Sequence, residues 1–128
     1  MTVNKQPIVP HMLRQVPEQF SWIDQRLVRE HHIDHLSHQA AALYLFLVTV
    51  GDNRGLSYYS DKTLEKRLTM NSSVLSDARN SLVQHRLIAY REPLYQVLAL
   101  DSLKEPRQAN GEAVSIGQIL QQLSGGAR

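Results

Sequence analysis

Cysteine is absent from the 128 residues, which excludes a disulfide framework and any thiolate metal site. That suits a reducing compartment, and a cytoplasmic location is expected. No apolar run approaches the roughly 20 residues that a membrane span requires. The longest, AALYLFLVTV (Ala41–Val50), reads instead as a buried core helix. The N-terminal stretch MTVNKQPIVPHML shows no basic-then-apolar pattern, so no export signal is expected. Glycine-rich phosphate loops, Gly-x-Ser-x-Gly elbows and convincing carboxylate pairs are also missing. Binding rather than catalysis is therefore expected, with no cofactor. Internal repeats and low-complexity tracts are lacking as well.

What is present fits one domain with one core. The net charge of +2 says little by itself, but its distribution says more. Residues 61–91 carry six basic side chains (Lys62, Lys66, Arg67, Arg79, Arg86, Arg91) against three acidic ones (Asp61, Glu65, Asp77). Elsewhere the signs balance or run slightly negative, so all of the positive excess lies in this stretch. That is the footprint of a modest phosphate-binding surface.

Residues 1–19 hold Pro7, Pro10 and Pro17 without a sustained period and read as an extended arm. In FSWIDQRLVREHHIDHL, the residues Phe20, Ile23 and Leu27 recur at helical spacing, so a helix is expected over at least Asp24 to His31. FSWI could instead enter as a short strand. Ser37 is an N-cap for a helix to about Val50 that is apolar almost all round, one that its own domain or a second copy must cover. Gly51 is a natural stop, and LSYYS reads as a brief strand. Ser60 caps a helix from Asp61 to Leu68, and Asn71 caps another to about His85, with Met70 and Leu75 as a hydrophobic staple. LIAYR and LYQVLAL, separated by Glu92 and Pro93, form a tight hairpin. A polar linker (101–114) precedes a capped apolar stripe of Ile116, Ile119, Leu120 and Leu123. A helix that short must dock on something.

Four histidines cluster at His31, His32, His35 and His38, two of them one helical turn apart. The metalloprotease pattern wants Glu directly after the first His, where this chain has His32. Exposed polar residues at a helix end are the plainer reading; a metal site completed by Glu30 and Asp34 stays open.

The order helix, short strand, helix, turn, helix, hairpin resembles a winged helix-turn-helix throughout residues 37–100. Its carriers are AALYLFLVTV, the pair DKTLEKRL and SSVLSDARNSLVQH, and the hairpin LIAYREPLYQVLAL. Within that superfamily the chain looks most like bacterial replication-initiator N-terminal domains of the DnaD type and small helix-turn-helix proteins of bacterial mobile elements. The resemblance implies a mainly α, α+β fold over residues 20–100, with an extra N-terminal helix and a C-terminal helix over 115–124. It also implies double-stranded DNA binding, in transcription regulation or in the handling of a replication origin or mobile element.

The residues support that implication independently. At 100° per residue Val74, Leu75, Ala78 and Leu82 group on one side of the helix from Asn71. Ser73, Ser76, Asp77, Asn80 and Gln84 fall opposite, short polar groups suited to a major groove. Ser72 and Ser73 sit at the helix start, where free N–H groups meet a phosphate. Asn80 is placed to pair with an adenine edge. Lys62, Lys66, Arg67, Arg79, Arg86 and Arg91 are expected on phosphates, positioning rather than specifying. Asp77, and a short wing tip at Glu92–Pro93, count against this reading. A homodimer is expected, with Ile116, Ile119, Leu120 and Leu123 as the pairing or docking face. The alternative is a protein-interaction adaptor that uses the same scaffold and C-terminal helix without DNA.

Overall fold

Local capping chemistry sets where the helices begin. The computed structural model describes residues 5–100. The expected linker and the C-terminal stripe of Ile116, Ile119, Leu120 and Leu123 lie outside the described residues. Within them run a single-turn α1 (Arg26–Arg29), α2 (His38–Val50), β1 (Leu56–Tyr58), α3 (Asp61–Leu68), α4 (Ser72–Gln84), β2 (Ile88–Arg91) and β3 (Leu94–Val97). Short 3-10 turns occur at Pro10–Met12 and Ile33–His35. Four helices and one antiparallel sheet in the order β1-β3-β2 make the chain α+β.

Each long helix opens on a side-chain cap, which satisfies an otherwise orphaned N–H. Ser37 accepts from the Ala40 N–H at 3.0 Å, Ser60 from Thr63 at 3.2 Å, and Asn71 from Val74 at 2.8 Å. Their ends differ in kind. Gly51 closes α2 in an extended conformation, with its N–H on the Leu47 carbonyl at 3.1 Å, not in the left-handed one. Space there is tight: an added Cβ would stand 3.1 Å from the Leu47 carbonyl oxygen and 3.3 Å from the Gly55 backbone. Thr69 and Arg86 take the left-handed conformation, at φ 56° and 59°, after α3 and α4. The Leu87 N–H reaches back to the Leu82 carbonyl and that of Arg86 to Val83, both at 3.0 Å. That is a Schellman ending with arginine where glycine is usual.

The N-terminal helix expected over Asp24–His31 is only one turn long. Asp24 folds its carboxylate onto the Arg26 N–H at 2.9 Å and onto the Arg26 guanidinium, which starts the helix two residues late. His31, at φ 64°, ends it. Phe20 and Ile23 therefore stay exposed, and only Leu27 of that apolar stripe is buried. Residues 5–19 are exposed along their whole length.

The core joins Leu43 and Leu47 of α2, Leu64 of α3, Leu75 and Leu82 of α4, and Leu87, Ile88 and Tyr95 of the hairpin region. Burying each large side chain contributes roughly 1.5–3 kcal/mol. β2 and β3 pair with Tyr90 opposite Tyr95, joined by the two-residue link expected from sequence. β1 closes on the other edge of β3, with Leu56 opposite Gln96. The approach is tight at Gly55 (φ +79°), where a Cβ would lie 2.8 Å from the Val97 carbonyl oxygen.

Candidate nucleic-acid interface

The face of α4 that turns away from α2 is set by simple geometry. Leu75, Ala78 and Leu82 are buried, which fixes the opposite side outward. Ser72, Ser73, Asn80 and Gln84 are exposed there and Ser76 is half-buried. Asp77 is exposed on the same face, as is Val83, an apolar group that polar-face reasoning passed over. The N-terminus of α4, uncovered beyond Asn71, adds backbone donors beside the two serines.

Of the six cationic residues expected at the interface, five stand exposed: Lys62 and Lys66 on α3, Arg67 at its end, Arg86 after α4, and Arg91 at the end of β2. Arg67 leans over the Phe46 ring, 5.8 Å from its centre, and Phe46 in turn meets Tyr59 edge-on.

Arg79 is the correction. Its side chain is only 12 % exposed. Its guanidinium donates to the Asp61 carboxylate at 2.9 Å and to the Tyr95 hydroxyl at 2.8 Å, and it lies 4.4 Å from the centre of the Tyr90 ring. The helical wheel explains why: Arg79 falls only about 60° from the centre of the buried stripe, on the core flank rather than the groove flank. Burial disfavours its charge, but the hydrogen bonds it donates to Asp61 and Tyr95 outweigh that and hold its pKa above the usual arginine value. Burial pushes the Tyr95 and Tyr90 hydroxyls upward, with Arg79 pulling back. Arg79 thus ties α4, the first turn of α3 and the hairpin together, and is withdrawn from phosphate contact. Asp61, Tyr90 and Tyr95, its partners, carried no local signal, since they stand 11 to 18 residues away in sequence.

The histidines disperse. His31 pairs with Asp34 at 2.9 Å, while His35 stacks on His85 with ring centres 5.7 Å apart. Among the described residues no group of three or more His, Cys, Asp or Glu side chains could hold one metal ion. Also among them, no helix is long and apolar enough to cross a membrane.

Compared with known proteins, the chain matches no family model, no curated protein and no solved structure.

Proposed function

We propose that the chain is a winged-helix protein that binds double-stranded DNA, with α4 in the major groove and the β2–β3 hairpin as the wing. The reading is supported by element order, by the β1-β3-β2 sheet and by the pairing of α3 with α4 across a three-residue turn. One observation carries it: among the described residues the serine- and asparagine-lined side of α4 is exposed, in the stretch of sequence that holds the chain's surplus of cationic groups. Ser72, Ser73, Ser76, Asn80 and Gln84 reach bases or nearby phosphates, and Val83 offers an apolar contact to a thymine methyl. Lys62, Lys66, Arg67, Arg86 and Arg91 hold the backbone. Two copies on one duplex would set two reading helices about one DNA turn apart. The regulatory role follows the same proposal: control of transcription, or work at a replication origin or mobile element.

Binding of the full chain to a labelled duplex tests this. Replacing Lys62, Lys66 and Arg67 together by alanine should weaken binding to every sequence alike while leaving thermal stability nearly unchanged. If the triple variant binds as tightly as the parent, the proposal fails. A second reading, an adaptor that binds protein and not DNA, draws on the exposed apolar residues at the N-terminal end and requires no duplex affinity at any salt.

A further inference from the structure

Phe20 and Trp22 stand 63 % and 74 % exposed, although aromatic side chains of this size are mostly covered in folded domains. The stretch that carries them is anchored: between the two, the Ser21 hydroxyl donates to the Thr49 carbonyl at 3.0 Å, which ties it to the end of α2. A cleft of about 760 Å³ opens there. Its lining is mixed, with apolar surface from Phe20, Trp22, Val48 and Leu100, and with Asp52 and Arg54 among its polar groups. An occupant must therefore be amphipathic, apolar toward the aromatic pair and able to leave the charged groups in water.

Leu100 belongs to the cleft wall, is 3 % exposed, and is the last of the described residues. The remaining chain, residues 101–128, therefore departs from the cleft itself. Its sequence carries one apolar stripe, Ile116, Ile119, Leu120 and Leu123, with Gln118 and Gln121 opposite on the helical wheel and no charged residue from Ser115 to Ser124. We infer that this stripe docks on Phe20 and Trp22, at the cleft of its own chain. A helix of about nine residues does not hold in water without a surface to pack on. Residues 101–114 tether it to Leu100, a length over which a coil spans about 20 Å. Such a tether sets the effective concentration of the stripe on the order of millimolar, so a second copy at micromolar concentration would have to bind about a thousandfold tighter to displace it. The C-terminal stripe then completes the domain it belongs to instead of joining two copies. Duplex binding plays no part in this contact, and no DNA enters its test.

Trp22 is the chain's single tryptophan, so the full chain reports on the contact without a label. In the parent, Trp22 should emit at short wavelength and resist acrylamide quenching at every concentration, while sedimentation gives the monomer mass. Leu120→Asp should move the emission to longer wavelength and raise quenching severalfold. Gln121→Asp, on the far side of the stripe, should change neither. Phe20→Asp reads the contact from its other side, and Phe20 is exposed enough that its replacement leaves the core alone. Amide exchange over residues 115–124, slowed by at least about tenfold in the parent, should return in that variant to the rate of an undocked peptide. The inference is overturned if Trp22 in the parent is quenched as freely as in a short peptide, or if Leu120→Asp leaves it shielded. It is equally overturned if Trp22 is shielded only in a species of doubled mass, which would seat a second copy in the cleft. Exchange over residues 115–124 that is unprotected in the parent, or still protected in Phe20→Asp, overturns it as well.

Discussion

Arg79, on the third turn of α4, donates to the phenol oxygen of Tyr95 at 2.8 Å, across from the strand that forms the inner wall of the hairpin. Tyr95 is fully buried, so its hydroxyl has little access to water as a substitute partner. Replacing Arg79 by alanine should destabilise the fold by about 1–3 kcal/mol, through the lost charge-assisted hydrogen bonds to Tyr95 and Asp61 and the lost contact with Tyr90. Denaturant unfolding measures this. Any weakening of DNA binding by that variant should accompany shifted resonances of Tyr90 and Tyr95, since the residue positions the hairpin instead of touching phosphate.

Asn80 stands at the opposite extreme, exposed and clear of the core. Asn80→Ala should leave stability within about 0.5 kcal/mol of the parent yet reduce discrimination at one base position by about 1–3 kcal/mol. Selection of bound sequences from a random duplex pool reads the difference. Unchanged preference would remove Asn80 from the recognition surface.

Arg86 combines a strained backbone with an exposed charge. Arg86→Gly should stabilise the domain by about 1 kcal/mol, because glycine adopts the left-handed conformation without penalty. The same change should weaken duplex binding at low salt by removing one proposed phosphate contact. Stability and affinity moving in opposite directions is the expected signature, read by thermal unfolding and duplex titration.

The hydrogen bonds from the Arg26 side chain and backbone pull the Asp24 carboxyl down to about 2, against about 3.9 in an unfolded chain. A lowered folded pKa means stability that is present above about pH 4 and is lost as pH falls through about 2. Asp24→Asn should therefore be less stable than the parent at neutral pH, and the gap should close on acidification over that window. Unfolding curves at neutral pH and near pH 2.5 check the sign.

Where local chemistry decides, the sequence was readable. Ser37, Ser60 and Asn71 announced their helices, and the two residues between LIAYR and LYQVLAL announced the hairpin. Non-local partners decide the rest. Nothing near Arg79 points to Tyr95 or Asp61, although its place on the wheel beside the core flank was a usable warning. Phe20, Ile23 and Leu27 kept helical spacing, but the turn at Asp24 and the left-handed His31 allow only one helical turn. The exposure of Trp22 and its neighbours depends on what they pack against, which periodicity does not encode.

The most direct test is the affinity of the full chain for duplex DNA measured across salt. If most of the five exposed cationic residues Lys62, Lys66, Arg67, Arg86 and Arg91 meet phosphates as proposed, log affinity should fall against log salt with a slope on the order of −3 to −4. Lys66→Ala should make that slope shallower by about one. A response that is flat in salt, or no duplex affinity even at low ionic strength, would contradict the assignment of α4 as a reading helix.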